Sequence, residues 1–536
     1  MQNNTKRNFF VAATYAGVLY VGLLLGQNYA DEQGPNQGGS LIPIGLTDNS
    51  VKLQYLINLL STNYVDSLSL DTIQDEAIQH ILQRLDPFSN YMKPQEARQQ
   101  YESLEGSFEG IGMEYFKIRD TLMVVGLLSN GPAEKAGFKV GDRLIRLAGK
   151  HVANARVSDK EVEQLMRGKR GSSIEIFIER NGQAFPYPFR VTRDHVNISS
   201  LDAVYMLPNG TGYVKVRKFG VRTGAEFKNA LVNLKKQGAQ RLILDLRNNP
   251  GGYLHASIDL LSHFFPKETL LVYTEGANEL RQNYFSNEGA VFKDGSIAVL
   301  INENTASAAE IVAGAIQDLD RGVIIGRRSY GKGLVQEQFD FADGSSINLT
   351  IARYFTPLGR GIQRKYTRST YNKDIFRSKF DLWSLDTTFT NAERYVSQKG
   401  KVVYGGGGVL PDITLPIDSN ELNTRYREIY HSQLIENFVY DRFTRKSPAY
   451  SIENFLSGYH VPEKEYAFFL SYLAKNGYVL SAEEAENLRA LIHLDMEALV
   501  ARFYFGREAY FKVRNRNDRY INSALTQFNP IANSRN

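Results

Sequence analysis

The chain has 536 residues, 63 basic against 58 acidic side chains and a net charge of +5, and nowhere gathers a basic cluster large enough to argue for a nucleic-acid partner. It has no cysteine, which excludes a thiol nucleophile, disulfides, a thiolate metal site and a lipidated cysteine. Its eight histidines are scattered without metal-ligand spacing, so no metal and no cofactor is expected.

A content of 43% hydrophobic and 23% charged residues is that of a globular protein, and the length suits three or four domains. Lys6 and Arg7 precede an uncharged apolar run from Phe9 to Leu25, and Asp31 and Glu32 follow it. Residues 1–30 therefore read as a signal peptide or membrane anchor with an exported body. A cut after Ala30 would put Asn28 where a small residue is preferred. The expectation is an uncleaved inner-membrane anchor carrying a periplasmic body, with a cleaved, soluble periplasmic form as the alternative. Residues 31–48, rich in Gly, Pro, Asn and Gln, read as a linker. Residues 49–104 read as a helical arm.

Strand-like segments then run from 105 to 195. Phe108-Glu109-Gly110-Ile111-Gly112-Met113-Glu114 opens them, Gly131-Pro132-Ala133-Glu134-Lys135-Ala136-Gly137 and Gly141-Asp142 follow, and a helix is expected over 157–166. This stretch resembles a PDZ domain, a module that takes an extended peptide as an added strand and holds its terminal carboxylate on backbone amides. Gly110, Ile111, Gly112 and Met113 match the carboxylate-binding loop. The plainer reading is a β-rich scaffold with a dead groove.

Between 196 and 415 three segments carry chemistry. Arg241 to Arg247 is a buried-strand pattern that runs into Asn248-Asn249-Pro250-Gly251-Gly252 and an apolar helix over 253–265. Gly295 to Ile301 is a second buried strand, followed by Thr305-Ala306-Ser307-Ala308-Ala309-Glu310 and a helix to about residue 319. Ser307 thus sits at a strand-to-helix turn, where free N–H groups and the helix dipole favour an anion. The third segment is Tyr330-Gly331-Lys332-Gly333, whose lysine lies 25 positions after the serine. A serine hydroxyl needs a base beside it, and a lysine serves only when burial leaves it partly neutral. Gly251 or Gly252 would supply one oxyanion donor and the Ala308 N–H the other. Each piece also has a bland reading: Ser307-x-x-Glu310 fits a helix capping box, and the glycine-rich segments fit ordinary turns.

Taken together, Asp245-Leu246-Arg247-Asn248-Asn249-Pro250-Gly251-Gly252, Asn302-x-x-Thr305-Ala306-Ser307-Ala308-Ala309-Glu310 and Gly326-Arg327-Arg328-Ser329-Tyr330-Gly331-Lys332-Gly333-Leu334-Val335-Gln336 resemble the carboxyl-terminal processing (tail-specific) proteases. The segments 349–357, 405–412 and 85–92 are similar to the same family. The resemblance implies Ser307 as nucleophile, Lys332 as general base and Gln336 as the residue that orients the lysine. It implies an α/β multidomain fold: a crotonase/ClpP-like core of ββα units, an inserted PDZ domain and helical additions at both ends. It also implies endoproteolysis of exported or membrane proteins recognised by apolar C-terminal tails, a homodimer through the helical arm, and Arg167 as a gate between PDZ domain and active site, with Arg170 competing for that role. Residues 416–536 read as helical and carry no assigned role. Two other readings stay open: an inactive tail-binding scaffold or chaperone, and a Ser-His hydrolase of the tricorn-like type using His255 or His263.

Overall fold

The computed structural model describes residues 49–287, 289–366, 393–417, 423–444 and 451–528. The apolar run from Phe9 to Leu25 and the linker lie outside them. Among the described residues no helix is long and apolar enough to cross a membrane. The chain divides into two compact units, one ending at His80. In the first, helix α1 spans Asn49–Asn63, and α2, Leu70–Leu82, reaches just past the division.

The arm is not helical throughout. Pro87 cannot continue a helix and pushes Asp86 out of the helical region. The Asp86 carboxylate instead accepts the N–H groups of Phe88 and Ser89, each at 2.7 Å, and closes a turn. A short strand follows, β1 (Asn90–Met92), before Pro94 starts α3 (Pro94–Glu105) and Gly106, at φ 66°, ends it.

The next domain contains β2 (Ser107–Gly110), β3 (Met113–Ile118), β4 (Thr121–Leu127), β5 (Arg143–Leu147), α4 (Asp159–Met166), β6 (Ser173–Arg180), β7 (Phe189–Thr192) and β8 (Asp194–Asn197). β2 and β8 pair antiparallel, so the chain enters and leaves on neighbouring strands. Val124, Leu144, Val162 and Ile176 are wholly buried at its centre.

The core domain brings β9 (Leu201–Leu207), β10 (Thr211–Val216), α5 (Thr223–Lys236), β11 (Arg241–Asp245), α6 (Leu254–Ser262), β12 (Leu270–Glu275), β13 (Gln282–Phe285), β14 (Ser296–Ile301), α7 (Ala308–Asp318), β15 (Val323–Gly326), β16 (Leu334–Asp340), β17 (Ser346–Phe355) and β18 (Ile413–Thr414). Six strands form one sheet in the order β9-β10-β11-β14-β15-β18, parallel except for the β9–β10 pair. The apolar runs at 242–244 and 297–301 follow from burial on both faces. Leu242, Leu244, Ile297 and Val299 pack with Phe227, Leu261 and Val312 of α5, α6 and α7. Ile243, Ala298, Leu300 and Ile325 pack with Tyr520, Ile521 and Ala524 on the other side. A second sheet joins β1, β17, β12 and β13, with β16 paired to β17.

Helices α8 (Thr424–His431), α9 (Leu434–Arg442), α10 (Ile452–Gly458), α11 (Glu463–Lys475), α12 (Ala482–Phe505), α13 (Arg507–Arg514) and α14 (Arg519–Phe528) complete the chain. The apolar faces of α8 to α13 share one core with Ile118, Met123 and Val125 of the β-rich domain, while α14 packs on the six-stranded sheet. Arg507 reaches Glu114 of β3 (3.1 Å) and Asp202 of β9 (2.7 Å), so one side chain of the helical domain grips both neighbours.

Candidate active site

β11, β14 and β15 are neighbours and run parallel, so the turns that leave them emerge at one end of the sheet, where open α/β sheets hold their ligands. Those turns are the three segments singled out in the sequence, and they are stitched together. The Ala306 N–H donates to the Asn249 carbonyl and the Tyr330 N–H to the Thr305 carbonyl, both at 2.9 Å. The buried Thr305 hydroxyl donates to the Leu246 carbonyl at 2.9 Å.

Ser307 is half-buried at φ 54° and ψ −120°, a conformation a non-glycine residue adopts at a cost of about 1–3 kcal/mol. The capping-box residues are present, but only half of the box is made. The Ser307 N–H donates to Glu310 Oε2 (2.9 Å), while the Glu310 N–H goes to the Ser307 carbonyl (2.8 Å) and the serine hydroxyl caps nothing.

Glu310 does more than the sequence suggested. It is wholly buried, and its oxygens accept from the Ser329 hydroxyl (2.5 Å) and from the N–H groups of Gly331 (2.7 Å) and Lys332 (2.9 Å) as well as Ser307. One carboxylate oxygen therefore ties the backbone of the serine to that of the lysine. Burial pushes its pKa up to about 7, against the pull of those four donors. The Tyr354 hydroxyl bridges the same two residues through their carbonyls, at 3.0 Å to Ser307 and 2.7 Å to Lys332. The Ser-x-x-Glu spacing showed Glu310 but pointed to a cap; Tyr354 lay in a resembling segment with nothing to mark it.

Lys332 Nζ donates to Gln336 Oε1 at 2.6 Å, and Gln336 Nε2 donates in turn to the Phe88 carbonyl at 2.6 Å. Burial holds the lysine pKa below its usual value, with Asp86 and Glu310 pulling the other way. Among the described residues no hydrogen bond joins Ser307 Oγ to Lys332 Nζ.

The glycine turn separates the two oxyanion candidates drawn from it. The Gly251 N–H is spent on Asn249 Oδ1 at 2.8 Å. Gly251 instead permits close approach: a Cβ on it would lie 2.7 Å from Ser307 Cβ and 2.9 Å from the Ala308 nitrogen. Among the described residues no acceptor takes the Gly252 or Ala308 N–H. Asp245 stays ionised despite its burial, because Arg247 and Lys215 lie beside it, and Arg247 is also held by Asp518 of the helical domain at 2.7 Å.

In the β-rich domain the Gly110–Met113 loop joins β2 to β3, with Gly112 at φ 71° and the Ile111 carbonyl taking the Ala133 N–H at 2.8 Å. Arg167, just past α4, pairs with Glu102 of α3 and with Glu163 (2.7 Å) and covers the Phe108 ring. Arg170 pairs with Asp194 at 2.7 Å. Neither arginine has a described contact with Ser307 or Lys332. His263 faces the Gly289 carbonyl and Phe227, and His255 faces Tyr284.

Residues 210–373 match the model of peptidase family S41, residues 123–180 that of the PDZ domain, and residues 425–506 a family of unknown function (DUF8443). The chain is 34% identical over 317 residues to the carboxy-terminal processing protease CtpB of Bacillus subtilis, covering 59% of this chain and 65% of that protein. It is 32% identical over 377 residues to a probable CtpA-like serine protease of Staphylococcus epidermidis, covering 70% of this chain and 74% of the relative. Among solved structures, a photosystem II D1 C-terminal processing protease matches at 26% identity and a TM-score of 0.36, over 68% of this chain and 86% of that one. The chain belongs to the S41 serine peptidases, among the carboxyl-terminal processing proteases, and its β-rich domain is a PDZ domain.

Proposed function

We propose that this protein is a serine endopeptidase that uses a Ser307–Lys332 dyad to cleave exported or membrane proteins selected by their C-terminal tails. The observation that carries this reading is the shared anchoring of Ser307 and Lys332 by Glu310 and Tyr354, with the lysine depressed in pKa by burial.

Neutral Lys332 takes the Ser307 proton as Oγ bonds to the scissile carbonyl carbon. The Ala308 and Gly252 N–H groups receive the oxyanion. The C–N bond then breaks, the proton passes from Lys332 to the leaving amine, and an acyl-enzyme remains. Water repeats the cycle in reverse roles and frees the new carboxylate. Gln336 keeps Nζ in place throughout.

The groove between β3 and α4 would take an apolar tail as an added strand, with its carboxylate at Gly110–Met113. The parallel sheet with α5, α6 and α7 on one face supports the crotonase-like reading of the core. The run of 9–25 supports an inner-membrane anchor and a periplasmic body, and residues 49–104 would serve as the surface of a homodimer. Ser307→Ala should abolish cleavage of a peptide with a free apolar C-terminus and all labelling by a fluorophosphonate probe, while circular dichroism stays unchanged. Turnover that persists in a pure preparation would place the nucleophile elsewhere.

A further inference from the structure

We propose that the turn Asp86-Pro87-Phe88-Ser89, contributed by the chain ahead of the PDZ domain, is a positioning element of the active site that holds Gln336 and Lys332 in register. The inference rests on the reading of Lys332 as the base. It stands on two contacts: the Phe88 carbonyl receives Gln336 Nε2 at 2.6 Å, and the Phe88 ring lies 5.1 Å from Lys332 Nζ.

The carbonyl contact settles which way the Gln336 amide faces. A glutamine amide is otherwise free to turn over, and turned over it would present its NH2 to the lysine, donor against donor. With Nε2 held by Phe88, Oε1 must face Nζ, where it accepts at 2.6 Å. The base is thus aimed by a chain that begins at a main-chain carbonyl.

That carbonyl is itself fixed. Asp86 Oδ1 accepts from Phe88 N–H and Ser89 N–H, and Oδ2 accepts from the Ser89 hydroxyl, all at 2.7 Å. Ser89 Oγ also takes the Thr350 N–H at 3.1 Å, which fastens the turn to β17. The Phe88 ring is wedged edge-on between Tyr330 (6.5 Å) and Tyr366 (6.2 Å). It replaces water on that side of Nζ. A ring face attracts an ammonium but cannot hydrogen-bond it as water does, and burial of Nζ holds its pKa below the usual value. The charged or titratable groups around Nζ are Asp86 on the turn, Glu310 on α7, and the two tyrosines beside the ring.

The test is a double-mutant cycle on the full chain. Asp86→Ala releases the turn, so Gln336 loses its anchor. Its kcat should fall about 10- to 100-fold, as Gln336→Ala should, the range for a hydrogen bond to a charged group. The double variant should be no slower than either single one, because both break the same chain of contacts. Asp86→Asn keeps an acceptor for both N–H groups and should restore kcat. With one anion removed, its rate should begin to rise at lower pH than in the wild type. Additive losses, or an Asp86→Ala enzyme at wild-type kcat, would overturn the inference. Lys332→Ala run alongside separates the two levels: activity there defeats the base itself, whereas an inactive Lys332→Ala beside additive Asp86 and Gln336 losses defeats only the turn.

Discussion

Replacing Tyr354 by phenylalanine removes one oxygen from a fully enclosed site. The ring is 2% exposed, so nothing else about its packing need change. The Ser307 carbonyl keeps two partners, the N–H groups of Glu310 (2.8 Å) and Ile311 (3.1 Å). The Lys332 carbonyl loses the hydroxyl at 2.7 Å, and among the described residues no other donor reaches it. An acceptor stranded in a buried site costs about 1–3 kcal/mol. Urea denaturation should therefore show a loss of about that size with an unchanged m-value. If the same contact is needed to hold Lys332 against Ser307 during acylation, kcat falls about tenfold, since about 1.4 kcal/mol is a factor of ten. Burial drives the Tyr354 pKa well above its usual value, so the hydroxyl remains a donor across the working range and takes no part in the titration. The variant's pH–rate profile should accordingly drop without shifting. A stability loss under about 0.5 kcal/mol together with full activity would refute the bridging role. A profile that loses its rising limb would instead make Tyr354 the titrating group.

Lys332→Arg should be inactive at every workable pH, because guanidinium cannot accept the serine proton, while the wild-type rate should rise with pH through an apparent pKa below that of free lysine. For stability the depressed pKa works against the fold as pH falls through it, so Lys332→Met should be inactive yet more stable near neutral pH. Glu310 has the opposite sign: its folded pKa of about 7 against 4.5 makes a contribution that is present below pH 4.5 and lost as pH rises through 7, worth about 3 kcal/mol at 1.36 kcal/mol per unit. Glu310→Gln should flatten the dependence of urea stability on pH by about that amount, and an unchanged slope would contradict the assignment. Arg507→Ala should speed proteolytic separation of the PDZ domain from the core, because it removes the side chain shared by Glu114 and Asp202; equal cleavage rates would deny it that role.

Three turn motifs could be read directly because each is local. Pro250, Gly251 and Gly252 announce a sharp turn, Ser307 stands at a helix start, and Lys332 lies between glycines, all next to apolar runs that only buried parallel strands explain. Their residue types were enough to suggest a nucleophile, a base and backbone donors. Local spacing could not show that β11, β14 and β15 are neighbours, which is what gathers the turns at one end of the sheet. Nor could it choose between the Gly251 and Gly252 N–H, since that choice depends on where the Asn249 side chain folds back. Glu310 was legible as a cap and became a clamp only when Gly331 and Lys332 arrived from the turn after β15 to occupy its oxygens. The Phe88 carbonyl reaches Gln336 across 248 positions of chain, and the helical domain's grip on Ile118, Met123 and Val125 spans a comparable gap. Periodicity and turn chemistry report what a residue does within a few positions of itself, whereas these contacts exist only once the hydrophobic layers have packed and brought remote backbone into hydrogen-bonding range.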